Sequence, residues 1–143
     1  MAYLFIIDPI ESLNKTKDSS LLLIKECLRR NIEVHFSEIN QFSIDEGNVN
    51  IHSQKILSLE KGIKHQDTEL NLSSFFKKIF IRKDPPFDDD YLNLTYLLDH
   101  AVKDGTDVIN HPSSIRNHNE KLSILNFQEI IPPTIVTSTA SDV

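Results

Sequence analysis

Three glycines in 143 residues, Gly47, Gly62 and Gly105, leave no glycine-rich run, and so no loop of the kind that cradles a nucleotide phosphate. A single cysteine, Cys27, excludes an internal disulfide and a cysteine-based metal cluster, and it suits a reducing cytoplasmic compartment. No apolar run is long enough to cross a bilayer. Residues 3–7 are apolar but short, lack a basic leader and run straight into Asp8-Pro9, so they do not read as a signal peptide. Basic residues are in the minority: 15 Lys and Arg against 21 Asp and Glu give a net charge of -6, which argues against a nucleic-acid partner. The six histidines, His35, His52, His65, His100, His111 and His118, share no ligand spacing and read as scattered surface or edge positions. What is present is ordinary: 39% hydrophobic and 25% charged residues suit one globular domain with its own core.

The chain is organised around residues 78–90. Ile79-Phe80-Ile81 reads as a buried strand that ends in the charges Arg82, Lys83 and Asp84. Pro85-Pro86 stops it, and Asp88, Asp89 and Asp90 precede helical periodicity over residues 91–102. Upstream, residues 3–7 form a continuous apolar strand of the kind covered on both faces. Asp18, Ser19 and Ser20 can cap a helix with Leu21, Ile24 and Leu28 on its buried stripe, and Asn31 can take the left-handed turn that ends it. Residues 32–36 give a second strand, completing a βαβ unit. Residues 44–51 look like a hairpin turning near Gly47, with a further strand around Ile56, Leu57 and Leu59. The polar run 61–71 reads as an exposed loop, and residues 72–76 as a short helix. Gly105 ends the helix of residues 91–102, residues 107–110 form a fourth short strand, and Pro112 opens another helical turn. Residues 134–137 suggest one more strand after Pro132-Pro133. Ser138, Thr139, Ser141 and Asp142 are capping residues with no helix behind them, as at the entrance to a further domain.

A strand whose carboxyl end is charged, just before a helix, is where open α/β sheets place their ligands. Arg82 offers a bidentate fork for a carboxylate and Lys83 a point charge; a solvated strand end is the alternative. Asp84 can orient Arg82, meet a substrate amine or simply shape the turn. Lys17, Asp18, Ser19 and Ser20 lie at a helix N-terminus, a ready anion site, with simple capping as the plainer account. Asp8 ends the first strand beside the same crevice, as a ligand contact or a loop anchor. Asp88, Asp89 and Asp90 are better explained by capping and the helix dipole than by a metal. Ser19 and Ser20 have no His and Asp partners of a hydrolase triad.

Taken together, these segments resemble the N-terminal part of prokaryotic glutathione synthetases, members of the ATP-grasp superfamily. The matching pieces are Asp8-Pro9-Ile10-Glu11, Lys17-Asp18-Ser19-Ser20, Arg82-Lys83-Asp84-Pro85-Pro86-Phe87-Asp88 and Thr95-Tyr96-Leu97-Leu98. Further on come Asn110 with Pro112, Arg116, Asn119-Glu120-Lys121-Leu122 and residues 131–137. Residues 40–76 match least. The resemblance implies an α/β, Rossmann-like pre-ATP-grasp domain over residues 1–122, with a mainly parallel sheet, flanking helices and a hairpin excursion. Residues 123–143 would open the ATP-grasp region. The resemblance also implies the ATP-dependent ligation of γ-glutamylcysteine to glycine with magnesium, and Asp8, Lys17, Asp18, Ser19, Ser20, Arg82, Lys83 and Asp84 as substrate contacts. Lys121 matches a lysine that reaches ATP. No catalytic or metal-binding residue is expected in this stretch, because the family's phosphate loop and magnesium carboxylates lie further along. The chain alone is therefore expected to be inactive, to bind neither ATP nor magnesium tightly, and to need an ATP-grasp half. A homo-oligomer is expected from the family, with no nucleic acid and no membrane. The alternative is a non-enzymatic α/β remnant, or one half of a split protein acting as an assembly module.

Overall fold

The apolar run at the N-terminus forms β1 (Ala2–Ile6), which lies between β2 (Glu33–Ser37) and β7 (Phe76–Ile81), parallel to both. The computed structural model describes residues 1–60, 62–119, 121–139 and 141. Side chains along a strand alternate between faces. Leu4 and Ile6 join one buried cluster with Ile79, Ile81, Leu94 and Leu98, while Phe5 and Ile7 join another with Leu21, Ile24, Val34 and Phe36. A strand buried on both sides has no polar face, hence the unbroken hydrophobic run.

The two clusters are covered by different helices. α1 (Ser19–Arg29) follows β1 and leads to β2, and α2 (Asp89–Lys103) follows β7 and leads to β8 (Asp107–Ile109). The spatial order is β2-β1-β7-β8, so the two crossovers depart from the middle of the sheet in opposite directions. Right-handed crossovers running in opposite directions put their helices on opposite faces, as the clusters require. The carboxyl ends of β1 and β7 therefore part at a topological switch point. The α/β, largely parallel reading of the sequence agrees with this architecture.

The excursion after β2 holds most of the differences from the sequence reading. β3 (Phe42–Asp45) and β4 (Asn48–Ser58) form the expected hairpin. Glu46 and Gly47 turn it with φ of 47° and 85°, the two left-handed residues of a tight hairpin turn. Ile56 and Leu57 do not start a separate strand; they are the far end of the 11-residue β4. The run read as a loop contains β5 (Lys64–His65) and β6 (Glu69–Leu72), both antiparallel to β4. These edge strands are short and mostly exposed, so no apolar alternation announces them. The short helix expected over residues 72–76 is a 3-10 turn at Ser73–Phe75 leading into β7. α3 (Pro112–Asn117) starts at its proline as expected, and Leu122–Phe127 forms a 3-10 helix. Residues 134–137 are not in the sheet, with Ile135 and Val136 60% and 57% exposed. Glu120 and Asp142 lie outside the described residues.

His35 corrects the view of the histidines as surface positions: it is fully buried in β2, between β1 and β4. Its Nε2 lies 2.9 Å from Glu33 Oε1 and its Nδ1 3.1 Å from Ser53 Oγ. Asn71 Nδ2 donates to the same Ser53 oxygen, at 3.1 Å. One assignment satisfies every partner: Nε2–H donates to Glu33, and Ser53 donates to Nδ1 while accepting from Asn71. This network joins β2, β4 and β6 across the excursion.

The hydrogen bond to His35, aided by one to Lys55, holds the Glu33 carboxyl below the ordinary carboxylate range against the opposing effect of burial. A carboxyl depressed in the folded state contributes stability above its unfolded pKa, about 4.3 for glutamate, and loses it as the pH falls through the folded value. Glu26, pulled down to about 2 by Arg29 and Arg30, acts in the same direction. Glu33→Gln is expected to flatten the acid limb of stability. Urea midpoints at about pH 6 and pH 3 should differ less in the variant than in the wild type; equal differences would remove Glu33 from the account.

Candidate functional site

At the switch point the β1–β7 ladder makes its last backbone bond from Arg82 N–H to Ile6 O, at 2.8 Å. Beyond it the Asp8 side chain takes over. Its Oδ2 accepts from Asp84 N–H at 2.9 Å, and its Oδ1 pairs with Lys83 Nζ at 2.8 Å. The Lys83 and Asp8 side chains are 17% and 23% exposed, so solvent screens this pair less than a surface pair. Lys83 Nζ also donates to Asp84 O at 2.6 Å. The loop-anchoring role of Asp8 is thus realised, and the Lys83 charge is spent within the protein.

Arg82 reaches the other way, onto the start of α1. Its Nε donates to Ser20 Oγ at 3.3 Å and its Nη2 to Ser19 Oγ at 2.6 Å. Asp18 caps the same helix, with Oδ1 accepting from Ser20 N–H at 2.7 Å and Leu21 N–H at 3.0 Å. The capping account of Asp18 is therefore realised, and two of the first-turn donors are already occupied. What remains open is on the side chains. Among the described residues, Arg82 Nη1 and the exposed Asp84 carboxylate have no hydrogen-bond partner. Asp84 does not orient Arg82 by a hydrogen bond; only its backbone is engaged. The carboxyl end of β7 thus carries one half-free guanidinium and, two residues on, a carboxylate with no partner among the described residues, charges of the kind that meet a carboxylate and an ammonium.

The other expected residues stand apart. Lys17 is exposed and lines an open groove with Lys15, Leu22, Lys25 and Leu57, which Asp18 and Ser19 also line. Lys121 is exposed beyond α3, with its backbone N–H on Asn119 Oδ1 at 2.9 Å, and no hydrogen bond among the described residues joins it to the Arg82 crevice. Asp88 caps α2 by accepting from Tyr91 N–H at 3.0 Å. Arg116, part of the sequence pattern, fastens α3 to α2: Nη2 donates to Asp99 Oδ2 at 2.7 Å and the guanidinium lies 4.7 Å from the Tyr96 ring centroid.

Tyr91 belongs to the site and was not singled out in the sequence. It is buried in the first turn of α2, with its hydroxyl 3.4 Å from Lys83 O. Burial, followed by the nearby charge of Asp8, raises its phenol above the ordinary value. Its position three and four residues before Leu94 and Thr95, both buried, extends the apolar stripe by one turn and was the available signal.

The chain matches the family described as prokaryotic glutathione synthetase, N-terminal domain, over residues 1–116. It is similar to the glutathione synthetase of Vibrio vulnificus strain YJ016, 39% identical over 145 residues, covering 96% of this chain and 44% of that protein. The glutathione synthetase of Vibrio cholerae is 37% identical over 96% of this chain and 44% of its own length. That of Escherichia coli O157:H7 is 34% identical over 92% of this chain and 43% of its own length. The chain spans less than half the length of these relatives.

Asp8→Ala would leave the Asp84 N–H and the Lys83 ammonium without their carboxylate. Hydrogen bonds to charged groups contribute about 1.5–3 kcal/mol, so a stability loss of that order is expected in denaturant titration. Amide hydrogen exchange should accelerate at Asp84 and remain slow at Leu94 and Leu98. An unchanged Asp84 rate would contradict the anchoring role.

Proposed function

Since the chain belongs to the prokaryotic glutathione synthetase family, whose N-terminal domain it carries, we propose that its switch-point crevice is a γ-glutamylcysteine site in an ATP-dependent ligase that joins this dipeptide to glycine. The observation that carries the reading is that, among the described residues, Arg82 Nη1 and, two residues further along the same strand end, the Asp84 carboxylate have no hydrogen-bond partner. A γ-glutamyl group has an α-carboxylate and an α-ammonium on one carbon. Arg82, oriented by Ser19 and Ser20, takes the carboxylate, and Asp84 takes the ammonium. Asp8 and Lys83 hold the turn that presents them, and Asp18 keeps the serines on a formed helix, while Lys17 lies in the adjoining groove. The contribution of this part is positioning: it holds the dipeptide while its other carboxyl is activated elsewhere.

That activation is assigned to the portion of the relatives this chain does not span. No group of three or more His, Cys, Asp or Glu among the described residues could hold a metal ion, and the sequence has no glycine-rich phosphate loop. The described residues do not fit a magnesium site, and no chemical step is assigned to them. Lys121 would meet ATP only with the rest of such an enzyme in place. In this reading residues 1–122 form the substrate domain, residues 123–143 open the next region, and the protein works in the cytoplasm.

A second reading is an assembly module, one half of a split enzyme or a non-enzymatic remnant. It is favoured by the exposure of Leu122, Ile124, Phe127, Ile130, Ile135 and Val136, an apolar segment without cover among the described residues.

Calorimetric titration with γ-glutamylcysteine tests the first reading. Weak binding is expected from the wild-type chain. Because charge-assisted hydrogen bonds are worth about 1.5–3 kcal/mol, Arg82→Ala should lower the affinity at least about tenfold. No heat from the folded wild-type chain at millimolar ligand would reject the site and leave the assembly module.

A further inference from the structure

The peptide unit between Lys83 and Asp84 lies between the two free side chains of the crevice, and it is held at both ends. Its N–H, on Asp84, donates to Asp8 Oδ2 from the end of β1 at 2.9 Å. Its carbonyl, on Lys83, faces the Tyr91 hydroxyl of α2 at 3.4 Å. A peptide plane fixed only at its N–H can still turn within the tolerance of that one bond, through a change in ψ of the residue before that φ of the residue after does not cancel. Such a turn would swing the Asp84 side chain relative to Arg82, whose own backbone N–H is fixed on Ile6 O. Fixing the carbonyl as well removes that freedom.

Resting on the γ-glutamylcysteine reading above, we propose that Tyr91 is a positioning residue for this crevice: its hydroxyl holds the Lys83 carbonyl and so sets the spacing between the Arg82 guanidinium and the Asp84 carboxylate. The ring and the hydroxyl have separable tasks. The ring is buried against the α2-side core and packs on Phe87 with centroids 5.0 Å apart, which a phenylalanine would reproduce. The hydroxyl adds nothing to that packing, and a buried hydroxyl is costly unless it finds a partner. Its bond to Lys83 O is long for an O–H donor, and contacts at functional sites commonly tighten only when the ligand arrives.

The test is Tyr91→Phe, with folding verified by circular dichroism and affinity measured for two ligands. One is γ-glutamylcysteine. The other is N-glutarylcysteine, which keeps the carboxylates but lacks the α-ammonium that Asp84 would take. Losing one hydrogen bond of ordinary strength should weaken the dipeptide by about three- to tenfold. The glutaryl ligand, which needs only Arg82, should change by less than about twofold, because the coupling passes through Asp84. Undiminished dipeptide affinity in the variant would overturn the inference, and so would an equal loss for both ligands, the mark of a merely structural residue. Failure of the wild-type chain to bind the dipeptide at all is a different result: it removes the substrate reading itself, and the inference with it.

Discussion

The site depends on one carboxylate. Where β1 and β7 part, backbone pairing can no longer hold them together, and Asp8 continues the pairing with its side chain. A short acceptor at that position binds both the next backbone donor and the neighbouring ammonium, so the strand end stays ordered for two residues beyond the sheet. Everything exposed in the crevice is arranged around that extension. Lys83 turns in to Asp8, Arg82 turns out to α1, and Asp84 is left with its backbone fixed and its carboxylate free.

The residues fall into those that close charge and those that leave it open. Lys83 with Asp8, and Asp18 with the helix amides, are internal pairings that build the frame. Arg82 is only half used by two serine hydroxyls, which aim a guanidinium without neutralising it. Neutral orienting partners preserve the charge for a ligand, whereas a carboxylate partner would consume it. Arg116 is the contrast within the same chain: paired with Asp99 and stacked on Tyr96, it acts as a structural arginine between two helices.

Much of this was legible in the residues. The unbroken apolar run at positions 3–7 demanded a strand covered on both faces, and the charges at 82–84 marked its neighbour's carboxyl end. Asp18, Asn31, Asp88 and Pro112 announced helix boundaries through chemistry that acts within a few residues, and each appears where expected. What could not be read depends on partners distant in sequence. β5 and β6 are edge strands made by pairing to β4, with little apolar pattern of their own. His35 looks like any polar strand residue until Ser53 and Asn71, each 18 or more positions away, arrive beside it. For the same reason the composition of the crevice could be anticipated, but not which of its charges would be spent internally. Lys83 and Asp84 carried equal claims in the sequence; Asp8 decided between them.

The central claim is that the β1–β7 switch point is a binding crevice whose free charges are Arg82 and Asp84. Amide chemical-shift mapping of the wild-type chain during titration with γ-glutamylcysteine tests it most directly. The account predicts saturable shifts concentrated at Ser19, Ser20 and Arg82 through Asp84, with β3 and β6 unaffected. Shifts at Lys15, Leu22, Lys25 and Leu57 or in the excursion with Arg82 through Asp84 unmoved, or none up to millimolar ligand, would contradict it.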